Sequence, residues 1–236
     1  MDYKNNLREP STRVPFIIAP FNVPALANAA LGSVVTNLTS HIDVLPTLLD
    51  LAGVPPSKVP PASRGSSLLP LMVPPAARTA AQRTALAARK GFAAAEYHSN
   101  LANTGSFMLR TEAYKLITFG NTFPWFNATA YTPQLFDLAA DPFELSNVAG
   151  EHPDVVAELT AALEAEFGGA GALQRIDAEE MAWDFAQFQR SFGNLTEAAL
   201  VARFQKEYKG VTTEEVQEKV AAWVAAAAAL PPPPPP

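Results

Sequence analysis

The chain has 236 residues, 48% of them hydrophobic, with 17 Lys and Arg against 23 Asp and Glu for a net charge of −6. No basic stripe of the kind that nucleic-acid binding needs is visible, and no apolar run reaches the ~20 residues of a membrane-spanning helix. There is no cysteine, which excludes disulfides and thiolate metal sites. An acidic surface offers sulfated or phosphorylated ligands no general attraction, so any anion site must be local.

Met1-Asp2-Tyr3-Lys4 has neither the basic nor the apolar region of a signal peptide. Residues 3–13 read as a polar loop carrying Lys4. The apolar run Val14–Ala19 that follows reads as a strand buried on both faces, with Pro15 at its start, where no ladder donor is needed. Residues 41–53 suit a helix capped near Asp43, with Pro46 in the first turn and Gly53 as its stop. Seven prolines between Val54 and Arg78 impose loop, and residues 76–90 read as a surface helix or linker.

The texture then changes. Phe92–His98, Ser106–Thr111, Tyr114–Phe119 and Gln134–Leu138 are short, β-rich and separated by turn residues. Glu112-Ala113 fits a two-residue hairpin loop without the favoured Gly or Asn. Residues 120–133 form an aromatic insert containing Trp125 and Phe126. A helix over 153–167 shows Val155, Val156, Leu159 and Leu163 at helical spacing before Gly168-Gly169. Further helices are expected between 177 and 226, with stripes Met181/Phe185/Phe188 and Leu200/Phe204/Tyr208, and a third helix opened by Thr212–Glu215. The alanine run and the terminal prolines read as a solvated tail.

Four stretches, in order, resemble the sulfatase family. They are the lysine loop leading to Arg13-Val14-Pro15, the helix Asp43-Val-Leu-Pro-Thr-Leu-Leu-Asp-Leu-Ala-Gly53, the turn Gly65-Ser-Ser-Leu-Leu-Pro-Leu71, and Leu135-Phe-Asp-Leu-Ala-Ala-Asp-Pro-Phe-Glu-Leu-Ser-Asn147. The order Glu96-Tyr97-His98, Phe107–Thr111, Pro133–Leu138 resembles the K-type arylsulfatase branch. The resemblance implies an α/β fold: the end of an alkaline-phosphatase-like catalytic domain over residues 1–75 and a linker over 76–90. A small four-stranded antiparallel α+β subdomain over 91–170, a helical tail over 171–229 and a Pro-rich end over 230–236 complete it.

In that family a formylglycine made from Cys-x-Pro-x-Arg (or its serine equivalent) and a calcium ion held by carboxylates carry out sulfate ester hydrolysis, possible substrates here being a sulfated uronate or polysaccharide. The resemblance implies that Lys4 contacts the sulfate, a role that suits a flexible ammonium, and that His98 contacts the substrate from the subdomain, with a cationic form available in an acidic compartment. It also implies secretion or a lysosomal or vacuolar location, where Asn37, Asn127 and Asn194 would be glycosylation sites. This sequence contains neither Cys-x-Pro-x-Arg nor Ser-x-Pro-x-Arg. No metal ligand is assigned, and the expected partner is an N-terminal half bearing nucleophile and metal, without which the chain is inert. A non-catalytic remnant or carbohydrate- or partner-binding module, and a related phosphoester or phosphonate hydrolase, remain as alternatives.

Of the other polar residues, Arg13 is read as ordering its loop by ion pairing. His41 and Asp43 are read as helix-start residues. Asp137, Asp141 and Glu144 are expected to serve turns and caps, and Arg110 and Lys115 to be solvated strand residues.

Overall fold

The computed structural model describes residues 6–19, 26, 29–60, 63–98, 104–120, 131–191, 196–207 and 212–229. Lys4, the Trp125–Phe126 insert, Asn127 and Asn194 lie outside them, as do Tyr208 and the side chains of Met181, Phe185, Phe188 and Phe204. The helices are α1 Glu9–Thr12, α2 Val44–Leu51, α3 Leu69–Met72, α4 Ala80–Ala87, α5 Pro153–Phe167, α6 Ala172–Ser191, α7 Glu197–Glu207 and α8 Thr213–Ala229. The strands β1 Ala93–Tyr97, β2 Ser106–Arg110, β3 Tyr114–Phe119 and β4 Gln134–Asp137 form one sheet in sequential order, antiparallel throughout.

The sheet has two differently covered faces because side chains alternate along each strand. Phe107, Leu109, Leu116 and Leu135 point to one side and meet Leu159 and Leu163 of α5 and Leu173 of α6. Met108, Ile117 and Phe136 point to the other side, where Leu7 of the N-terminal segment covers them. The β2–β3 hairpin closes at Glu112-Ala113 as the sequence implies. In place of glycine or asparagine chemistry, the Thr111 hydroxyl accepts from the Tyr114 N–H at 2.9 Å, and the Thr111 N–H donates to the Tyr114 carbonyl at 2.8 Å.

Pro153 opens α5 and Gly168, at φ 116°, ends it. The fully buried Asp177 on α6 then accepts from the Gly105 N–H and from the Thr104 hydroxyl. A side chain at Gly105 or Gly120 would strike this region, since a Cβ on Gly120 would lie 2.2 Å from the Asp177 Cβ. Helix α8 packs against α6 and α7, burying Leu200, Val201, Val216 and Val220. It is entered through Thr212, whose hydroxyl accepts from the Glu215 N–H while Glu215 reaches back to the Thr212 N–H. The alanine run continues this helix to Ala229.

Residues 40–90 assemble around Asp43. One carboxylate oxygen accepts from the Ser66 N–H at 2.7 Å, the other from the Ser40 N–H at 3.1 Å and from Arg89 at 2.9 Å. The Thr47 hydroxyl, one turn on, accepts from the Leu68 N–H at 2.9 Å. The Gly65 turn is thereby drawn onto the start of α2 so closely that a Cβ there would sit 2.1 Å from the Ile42 carbonyl oxygen.

The expected strand over 14–19 is not present. Val14, Phe16 and Ile18 are exposed and Ile17 is 85% exposed, and among the described residues no strand pairs with them. A buried parallel strand takes both its ladder and its burial from flanking strands and covering helices; local sequence supplies neither. These residues line an open trough of about 1560 Å³ shared with Leu31, Val34 and Ile42.

Hydrogen exchange is expected to follow this division. Residues 91–167 should be better protected than the described part of residues 1–75, with β2 and β3 slowest; equal protection of the two parts would contradict it. Leu116→Ala, emptying a fully buried position, should lower unfolding free energy by about 2–5 kcal/mol in urea titration.

Candidate functional site

Residues 6–13 hold almost no regular structure beyond the single turn α1, yet they lie fixed across the open face of the sheet. Leu7 gives an apolar anchor, and everything else is polar. The fully buried Lys115 ammonium of β3 donates to the Leu7 carbonyl and to the Thr12 hydroxyl, both at 3.1 Å. It pairs with Glu9 at 2.8 Å and with Glu144 at 2.9 Å. The second Glu144 oxygen accepts from the Glu9 N–H at 2.7 Å. Arg8 donates to the Glu144 carbonyl at 2.6 Å and to the Gln134 side chain at 3.2 Å, with its guanidinium 4.8 Å from the Phe136 ring centroid.

Strand register explains why a carboxylate is required here. Arg110 and Lys115 are direct cross-strand partners, and like charges in that position repel. Glu9 bridges them, with Arg110 Nε at 3.1 Å and Lys115 Nζ at 2.8 Å from the same oxygen. Two carboxylates and two cations leave the cluster neutral. Burial alone would push the Glu9 carboxyl up; the Lys115 ammonium, helped by Arg110, outweighs it and holds the group below its ordinary value. Removing one member of such a buried cluster costs about 3–5 kcal/mol, because the remaining charges are left without partners.

Glu144 also has the only positive φ among the described non-glycine residues, 58°. That conformation is uncommon and costs of order 1–3 kcal/mol. It coincides with an arrangement in which the carboxylate turns inward to Lys115 while the carbonyl meets Arg8.

Several sequence expectations are corrected here. Lys115 is not a solvated strand residue, and Arg110 is ion-paired. Glu144 does close a turn, its N–H donating to the Asp141 carbonyl at 3.1 Å, but its side chain is in addition a buried ionic partner of Lys115. Asp137 and Asp141 do serve turns, accepting from the N–H groups of Ala139 and Ala140 and of Ser146, respectively. Asp43 takes the third position of a capping box with Ser40, and its pairing with Arg89 was not anticipated.

His98 follows β1 on the helix-covered side. Its ring lies edge-on to Phe107 at 5.4 Å, its side chain is 15% exposed, and neither ring nitrogen makes a hydrogen bond among the described residues. Glu96 approaches only to 3.9 Å. Leu7 lies on the opposite face, so the sheet separates it from His98. Asn37 is exposed.

Among the described residues no three His, Asp or Glu side chains gather as a metal centre, and the chain has no cysteine. The described residues therefore do not fit a calcium site, nor the Cys-derived formylglycine. No helix among them is long and apolar enough to cross a membrane.

The chain that carries this arrangement matches a known family. Residues 2–168 match the family model described as N-sulphoglucosamine sulphohydrolase, C-terminal, and the chain belongs to the sulfatase family as its C-terminal part. Its relatives include arylsulfatase K of Gallus gallus, 35% identical over 157 residues, and of Rattus norvegicus, 34% identical over the same length. The alignments cover 66% of this chain but only 26% and 25% of those proteins; the chain spans about a quarter of the length of these relatives. A solved structure in complex with its substrate D-glucosamine-2-N,6-O-disulfate is 28% identical, with a TM-score of 0.38, covering 52% of this chain and 22% of that one.

The linkage of Glu9 has a definite sign. With a folded-state value below the ordinary 4.5, its contribution is complete above about pH 4.5 and is lost as pH falls through the folded value. The melting temperature of the native chain should therefore drop more steeply below about pH 4.5 than that of Glu9→Gln. Parallel pH profiles for the two proteins would remove Glu9 from the account.

Proposed function

We propose that this chain is the C-terminal portion of a sulfuric ester hydrolase, with nucleophile and metal supplied by an N-terminal portion. The complete enzyme would hydrolyse sulfate esters of a sulfated uronate or polysaccharide, in a secreted or a lysosomal or vacuolar setting. Calcium and formylglycine would supply Lewis acidity and the attacking oxygen there. Within this chain the working group is Lys4, whose ammonium neutralises sulfate oxygens as charge develops on the leaving oxygen.

The observation that carries this reading is the family match over residues 2–168, which includes the lysine loop. The clamp on residues 7–12 supports it, because a contact at the sulfate needs a fixed origin. For His98, the burial of both ring nitrogens supports packing against Phe107 over direct substrate contact. A second reading, a non-catalytic binding module, draws support from the lack of a metal-type cluster among the described residues.

The test joins this chain to the N-terminal three quarters of an arylsulfatase K and follows hydrolysis of a chromogenic aryl sulfate. The chain alone should give no turnover, and the joined protein should be active. Lys4→Ala should lower kcat/KM by about 100-fold or more, in the range for loss of one transition-state charge contact. His98→Phe, which keeps the edge-on ring, should leave KM unchanged. An inactive but folded joined protein would favour the binding-module reading.

A further inference from the structure

Lys115 is given no substrate contact, yet its ammonium is the point on which residues 7–12 converge. Three of its four oxygen partners, the Leu7 carbonyl, a Glu9 carboxylate oxygen and the Thr12 hydroxyl, belong to residues 7–12. The fourth is Glu144, on the segment after β4. We infer that Lys115, with Glu9, Arg110 and Glu144, is the positioning device of the sulfate-binding loop, fixing the origin from which Lys4 projects without touching substrate. This inference rests on the reading of Lys4 as the sulfate contact.

Four observations carry it. Leu7 is only three residues from Lys4, so the anchored point and Lys4 are separated by at most about 11 Å of extended chain. Residues 7–12 have no sheet ladder, and α1 provides a single turn, so side-chain contacts alone set their placement. The cluster is also a costly way to gain stability, since apolar residues of similar volume often match or exceed a buried ion pair. What ions supply and a methylene cannot is directionality: an ammonium with three donors ties a carbonyl, a hydroxyl and carboxylates into one geometry. Finally, the positive φ of Glu144 is strain at the residue joining this device to the subdomain, and such strain concentrates where placement is critical.

A staple that merely held the fold together would have the same contacts, so the test must separate placement from stability. In the full 236-residue chain, Lys115→Met should raise hydrogen exchange in residues 6–13 by about tenfold or more while residues 106–119 change less than about threefold. In the joined enzyme, Lys115→Met should lower kcat/KM by about tenfold when Lys4 is present and by less than about twofold in a Lys4→Ala background. Residues that act as one unit lose function non-additively. Glu9→Gln, which preserves volume, should show the same pattern and carries the cycle should Lys115→Met not fold. Multiplicative losses in the cycle, or exchange rising equally in both segments, would overturn the positioning role and leave Lys4 as sulfate contact. A Lys4→Ala enzyme with full activity would instead overturn the Lys4 reading, and the positioning role with it.

Discussion

The buried ammonium of Lys115 is the constraint that joins residues 7–12 to the sheet. A lysine without solvent must be surrounded by oxygens, and here those oxygens come from segments over a hundred residues apart: Leu7, Glu9 and Thr12 on one side, Glu144 on the other. The requirement runs both ways. Glu9 and Glu144 tolerate burial because the ammonium lies between them, and Glu9 also relieves the opposition of Arg110 and Lys115 across the β2–β3 hairpin. A loop without secondary structure thus acquires a fixed position from the strand register beneath it.

The rest divides by how each part meets its backbone and apolar requirements. The sheet under α5 is self-sufficient, since Phe107, Leu109, Leu116 and Leu135 find their partners in Leu159, Leu163 and Leu173. Residues 40–90 satisfy their polar groups around Asp43 but leave Ile42, Leu45 and Leu48 half-exposed or more. Together with Val14, Phe16, Ile17 and Ile18, these form apolar surface far beyond the scattered residues that need no explanation. The chain spans about a quarter of the length of its relatives; the antiparallel unit covers its apolar residues, while residues 14–18 and 42–48 leave several of theirs exposed.

The resemblance to sulfatases was legible from motif order, the four strands from β-rich segments between turn residues, and α5 from helical spacing, each within a residue or so. The ionic cluster was not, for two reasons. A single lysine in a strand is most often solvated, and nothing local distinguishes Lys115 from one that is. The clue lay one step further on: a two-residue loop at Glu112-Ala113 makes Arg110 and Lys115 face each other, which calls for a carboxylate between them. Which carboxylate answers depends on residues far away. For Glu144, the resembling motif implied a turn, which it closes, and only the contacts with Lys115 and the Glu9 N–H show that its carboxylate is turned inward.

What the sequence determined by itself is therefore everything governed by neighbours along the chain: β-rich segments between turns, helix periodicity, the hairpin, the Pro153 and Gly168 ends of α5, the Thr212–Glu215 entry to α8, and family. The tertiary structure decided which charges are buried, that His98 packs on the face away from Leu7, and that residues 14–19 form no strand here. Those outcomes depend on what lies across a sheet or beside a segment. A ladder or an ion pair is completed by a partner, and the sequence of one segment does not contain it.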